Sequence, residues 1–85
     1  MNKRTQPHLP ASGAYRSGTD YYLVIDGIYR ASRCGSALAW WRSPTLPADA
    51  ELLSLAEMEA ETWLQLLLYR ILSVPAPQRL LAVQP

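Results

Sequence analysis

Ser54-Leu55-Ala56-Glu57 spells a helix start, and the stretch it opens constrains this chain more than any other. In a capping box the Ser hydroxyl accepts from an early backbone N–H while the Glu carboxylate reaches back to the N–H of the cap. Leu53 before the cap and Met58 within the first turn can close a hydrophobic staple over it. The spacing predicts one long helix over 54–73, ended by Val74-Pro75-Ala76-Pro77, because the residue before a proline is steered away from helical backbone. Ala56, Ala60, Trp63, Leu64, Leu67 and Ile71 recur at three- and four-residue intervals, the stripe expected to lie on the rest of the fold. Leu66, Leu68 and Leu72 fall off that stripe. A domain of 85 residues covers one stripe of a helix, rarely its whole circumference, so something further is expected to cover these leucines.

The partner of that stripe is expected between residues 21 and 42. Tyr21 to Ile25 and Ile28 to Arg33 are rich in aromatic and β-branched residues, and Asp26-Gly27 separates them. Such a dipeptide between two strand-like runs predicts a type I′ hairpin, in which both central residues take positive φ. That turn would pair Ile25 with Ile28, Val24 with Tyr29, Leu23 with Arg30 and Tyr22 with Ala31. Neither resulting face is cleanly polar, so both faces are expected to be partly covered. Residues 37–42, Ala-Leu-Ala-Trp-Trp-Arg, read as a third strand, with a short helix capped by Ser36 as the alternative. The fold class is therefore α+β: an antiparallel hairpin or three-stranded meander over about 21–42, packed on one C-terminal helix. Residues 1–14 read as a flexible tail, 15–74 as the single domain and 75–85 as a proline-containing tail, whose Leu80, Leu81 and Val83 offer an apolar strip that could wrap the helix.

Charge is unevenly spread. Residues 1–47 carry six bases against two acids, a net +4, and residues 48–85 carry two bases against five acids, a net −3. Arginine on strands and glutamate near a helix start account for this, and the density is low beside nucleic-acid binders. Cys34 is the lone cysteine, which excludes an internal disulfide and suits a reducing cytoplasm. No apolar run follows Met1-Asn2-Lys3-Arg4, so no signal peptide is expected, and the leucine-rich run is too short to span a bilayer. One Lys against seven Arg, one Asn, and abundant Ala, Leu and Pro point to a GC-rich bacterial or phage coding sequence.

The inventory argues against catalysis, and it calls for no cofactor and no metal. His8 is the only histidine and lies in the tail, so the usual nitrogen and sulfur ligand set for zinc is missing. Cys34 has no evident base, and Asp26 is explained by its turn. The glycines at 13, 18, 27 and 35 have no phosphate-loop spacing. Two non-catalytic classes remain. The leading one is a protein-binding module, an adaptor, regulator or stoichiometric inhibitor of a larger bacterial complex, with a phage or mobile-element anti-defence role within that class. Its expected contacts are Leu66, Leu68, Tyr69, Leu72, Trp40 and Trp41, and its partner is another protein or a second copy meeting along Leu66, Leu68 and Leu72. The alternative is single-stranded nucleic acid stacking on a sheet face of Tyr22 and Tyr29 beside Arg30, Arg33 and Arg42.

Overall fold

The structure, a computed structural model, describes residues 10–75, 78, 83 and 84. It is α+β, as the sequence predicts. Four strands run as an antiparallel meander: β1 (Gly13–Ser17), β2 (Asp20–Val24), β3 (Ile28–Cys34) and β4 (Ala37–Ser43). Two-residue strands extend its edges, β5 (Glu51–Leu52) beside β1 and, after the helices α1 (Leu55–Ala60) and α2 (Thr62–Leu72), β6 (Val83–Gln84) beside β4. The order across the sheet is β5-β1-β2-β3-β4-β6. Residues 37–42 are thus strand. The first strand begins at Gly13, inside the segment read as tail, and Ala14 is buried there. Leu80 and Leu81 lie outside the described residues, and among the described residues no helix is long and apolar enough to cross a membrane.

The two tight turns of the meander are Gly18-Thr19, between paired Ser17 and Asp20, and Gly35-Ser36, between paired Cys34 and Ala37. Gly18 has φ +62° and Gly35 φ +63°, while their followers are not in the positive region, which is the type II′ pattern with glycine first. The Asp26-Gly27 turn differs from the type I′ expectation. Val24 pairs with Ile28, so the connection has three residues, Ile25, Asp26 and Gly27, and none has positive φ. At 27 the backbone does not require glycine; a Cβ there would sit 2.9 Å from Nε of Arg42, the far end of a flexible side chain. Asp26 accepts from the Tyr29 hydroxyl at 3.0 Å.

The longer loop shifts the pairing by one residue, to Leu23 with Tyr29, Tyr22 with Arg30 and Tyr21 with Ala31. A shift of one exchanges the faces of β3 relative to β2. Ala14, Leu23, Tyr29, Ala31 and Trp40 now share one face and pack with Leu53 against Trp63, Leu64, Leu67 and Ile71 of α2. Tyr15, Tyr22, Val24 and Ile28 share the other, which is covered by the 44–50 loop through Leu46 and Ala50. The Ser17 hydroxyl donates to Asp49 at 2.6 Å and ties that loop down. Both faces are covered, which explains why neither reads as polar.

The helical stretch is broken. Glu61, at φ −105° and ψ 67°, separates α1 from α2, and Ala56 and Ala60 are exposed instead of lying on the sheet. Tertiary contacts account for the break. The Glu61 carboxylate accepts from Trp63 Nε1 at 2.9 Å and from the Tyr21 hydroxyl at 3.3 Å, and Gln65 Nε2 donates to the Met58 carbonyl at 2.9 Å. Polar groups opened by the kink are thereby satisfied from the side chains around it.

Candidate functional site

The capping box forms as its spelling predicts. Glu57 N–H donates to the Ser54 hydroxyl at 3.2 Å, and Ser54 N–H donates to the Glu57 carboxylate at 2.8 Å. The backbone N–H and hydroxyl of Ser54 and then Arg16, 3.4 Å away on β1, hold the Glu57 carboxyl below its ordinary range. These contacts anchor the start of α1 to the sheet edge. None of the residues of α1 is buried, so its apolar side chains are left to face outward or toward α2.

On α2, the stripe Trp63, Leu64, Leu67 and Ile71 is spent on the core. Beside it runs a second stripe, Gln65, Leu68, Tyr69 and Leu72, at i, i+3, i+4 and i+7. Leu68 is half-buried, Tyr69 is 69% exposed and Leu72 48%. Across from it stands Leu55, 84% exposed at the first turn of α1. Between these walls and the end of the sheet at Gly13, Ala14 and Ile25 lies a groove of about 560 Å³, lined by buried Leu23 and Leu53 and opening past exposed Leu52, Leu55 and Leu72. A smaller recess of about 320 Å³ continues it past Met58 and Leu68 to Glu59, Gln65 and Tyr69. The lining is aliphatic almost throughout. Glu59 is its one charged side chain and no Lys or Arg lines it.

The residues expected to contact a protein partner divide three ways. Leu68, Tyr69 and Leu72 meet at the groove. Leu66 is 57% exposed, but at 100° per residue it lies about 120° around the helix from Leu72. Trp40 is 8% exposed and packs edge-on against Tyr29 at 5.7 Å, inside the core. Trp41 is half-buried on the loop-covered face, under the Arg30 guanidinium at 5.5 Å. Leu52, Leu55 and Met58 complete the groove; the sequence marks Leu55 and Met58 only as parts of the helix start and gives no signal at Leu52.

The set expected to stack nucleic acid does not share a face. Tyr22 and Arg30 point to the loop-covered side, whereas Tyr29, Arg33 and Arg42 belong to the helix-covered side. Both tyrosine rings are buried, and Arg42 lies over Tyr29 at 5.7 Å. Arg30 pairs with Asp20 at 2.9 Å. Asp20 and Asp26 sit at opposite ends of β2, and Glu57 and Glu61 are each held by structural hydrogen bonds. Cys34 is an exposed free thiol at a hairpin tip, His8 lies outside the described residues, and no group of three or more His, Cys, Asp or Glu among the described residues is placed to hold a metal ion. No protein-family model matches this sequence, and comparisons with curated proteins and with solved structures found no match.

Proposed function

We propose that this chain is a non-catalytic protein-binding module, an adaptor, regulator or stoichiometric inhibitor, that docks through the groove bounded by α1, α2 and the adjacent end of the sheet. The observation that carries the reading is the continuous apolar groove rimmed by Leu55, Tyr69 and Leu72 on so small a domain. Isolated exposed leucines need no explanation, but a contiguous apolar recess opening onto exposed leucines is the surface that interfaces use. The occupant is a segment of a different protein that presents apolar anchors with a Lys or Arg beside them. Glu59 at the edge and the lack of any lining cation favour that charge. A bacterial or phage setting, a cytoplasmic location and an inhibitory, anti-defence role belong to the same proposal and are supported only by composition and the lone cysteine.

Tagged chain is incubated with bacterial lysate, with and without nuclease, beside Leu55→Glu and Leu72→Glu. A protein retained after nuclease by the wild type and lost by both variants, with circular dichroism unchanged, is the expected result. Retention by both variants, or loss of every protein on nuclease treatment, would overturn the groove as the docking site.

A further inference from the structure

The sheet edge that meets the groove carries a pair of main-chain hydrogen-bonding groups turned outward. β5 lies antiparallel to β1, with Leu52 opposite Tyr15 and Glu51 opposite Arg16. Leu53 N–H donates to the Ala14 carbonyl at 2.8 Å, so the main chain of Leu53 points into the ladder. In an antiparallel pair that direction alternates along each strand. The N–H and C=O of Leu52 therefore point away from β1, and among the described residues they have no hydrogen-bond partner. The far side of β1 agrees. Ser17 and Asp20 flank a two-residue turn as a bonded pair, which directs Ser17 and Tyr15 toward β2 and leaves Ala14 and Arg16 facing β5.

This edge is short but held at both ends. Before β5, the Ser17 hydroxyl donates to Asp49 at 2.6 Å; after it, the capping box and the Arg16–Glu57 pair fix the start of α1. An exposed edge already fixed in extended form is a template for one more strand, with little ordering cost on this side. The Leu52 side chain is 56% exposed at the groove, and exposed Leu55 stands just past the end of β5. Glu51 is exposed on the same edge.

We propose that the partner segment docks in extended form, as a strand added to β5. This rests on the docking reading above and gives its occupant a backbone shape. One residue of the segment exchanges two main-chain hydrogen bonds with Leu52 and lays its side chain against that leucine. Two residues further along, roughly 7 Å on, the segment comes level with Leu55 at the mouth of the groove. Side chains alternate along a strand, so the aliphatic anchors fall at i and i+2. A helix laid in the groove would instead present i, i+3, i+4 and i+7, and would leave the outward pair of Leu52 unmet. A Lys or Arg beside the anchors complements Glu51 and Glu59.

The probe is a displayed library of random dodecapeptides selected on the full chain, with the tightest binder then made synthetically. Aliphatic residues at alternate positions, flanked by Lys or Arg, are expected among the selected peptides. The Leu52 amide should exchange freely in the unbound chain and be slowed at least about tenfold by the peptide. Leu52→Pro removes only the outward N–H, which an edge strand tolerates, and should raise the Kd at least about fivefold with circular dichroism unchanged. Leu52→Val keeps that N–H and should lose much less. Anchors at helical spacing, or a Leu52 amide left unprotected, would overturn strand addition, and loss of binding in Leu55→Glu would then still keep the groove as the docking site. A library that yields no peptide sensitive to Leu55→Glu would overturn both. A chain that sediments as a dimer until Leu52→Pro is introduced would give the edge to a second copy and overturn the proposal.

Discussion

Glycine 27 and glycine 35 look alike in the sequence and do different work. Gly35 holds φ +63°, which a side chain adopts at a cost of roughly 1–2 kcal/mol. Gly27 has no positive φ, and the nearest obstacle to a Cβ is the far end of Arg42, a long side chain that can swing aside. Losing the Arg42 contact with Tyr29 costs about 0.5–1 kcal/mol, and the stiffer unfolded chain returns about 0.4–1 kcal/mol. Gly35→Ala is therefore expected to destabilise by at least about 1 kcal/mol in urea unfolding, while Gly27→Ala stays near neutral. The reverse order would restore the type I′ turn that Asp26-Gly27 suggests. That dipeptide was the stronger local signal, but side-chain burial decided the register. In the I′ pairing Arg30 would share the face of Leu23, which is the one packed on α2, and Tyr29 would leave it. Burying a guanidinium without a partner is disfavoured, and the observed slip brings Arg30 to Asp20 and Tyr29 to the core.

Among the elements, the start of α1 was fully legible because a capping box is local chemistry. Glu57 also makes it sensitive to acid. Its folded-state pKa lies below the ordinary 4.5 because Ser54 and then Arg16 favour the carboxylate. A depressed carboxyl contributes stability that is complete above the unfolded value and is lost as pH falls through the folded one. Glu57→Gln should therefore be less stable than the wild type at pH 7, and the gap should close below pH 4.5, as urea midpoints at pH 7 and pH 3 would show. The stripe Trp63, Leu64, Leu67 and Ile71 was equally legible from its period, since all four are buried in α2. The break at Glu61 was not. Glutamate is a good helix former, and the groups that draw its carboxylate out of line include Tyr21, forty residues away in the chain. Glu61→Ala leaves the Tyr21 hydroxyl and the Trp63 indole without that acceptor and is expected to cost about 1–2 kcal/mol. A midpoint equal to wild type would mean that the break does not depend on those bonds.

At the scale of the molecule, the aromatic residues that suggested a binding face are consumed by covering a sheet on both sides. Among the described residues, the exposed Leu52, Leu55, Tyr69 and Leu72 gather at the groove beside the helices, while Leu66 lies apart on α2. The sequence carried this surplus visibly in its run of leucines, but not its location, because the kink at Glu61 sets which leucines face α1. Two leucines twelve residues apart now separate stability from binding. Leu67 is fully buried, and truncating such a side chain to alanine costs about 2–5 kcal/mol, which in a domain of this size lowers Tm by about 10 °C or more. Leu55 is 84% exposed, so Leu55→Glu removes little packing and should move Tm by no more than about 3 °C. The expected pattern is a folded, thermally normal Leu55→Glu that has lost its partner, beside a Leu67→Ala weakened in the melt. If Leu55→Glu instead melts as early as Leu67→Ala, Leu55 is part of the core and the groove is closed in solution. The docking proposal would then lose the surface on which it rests.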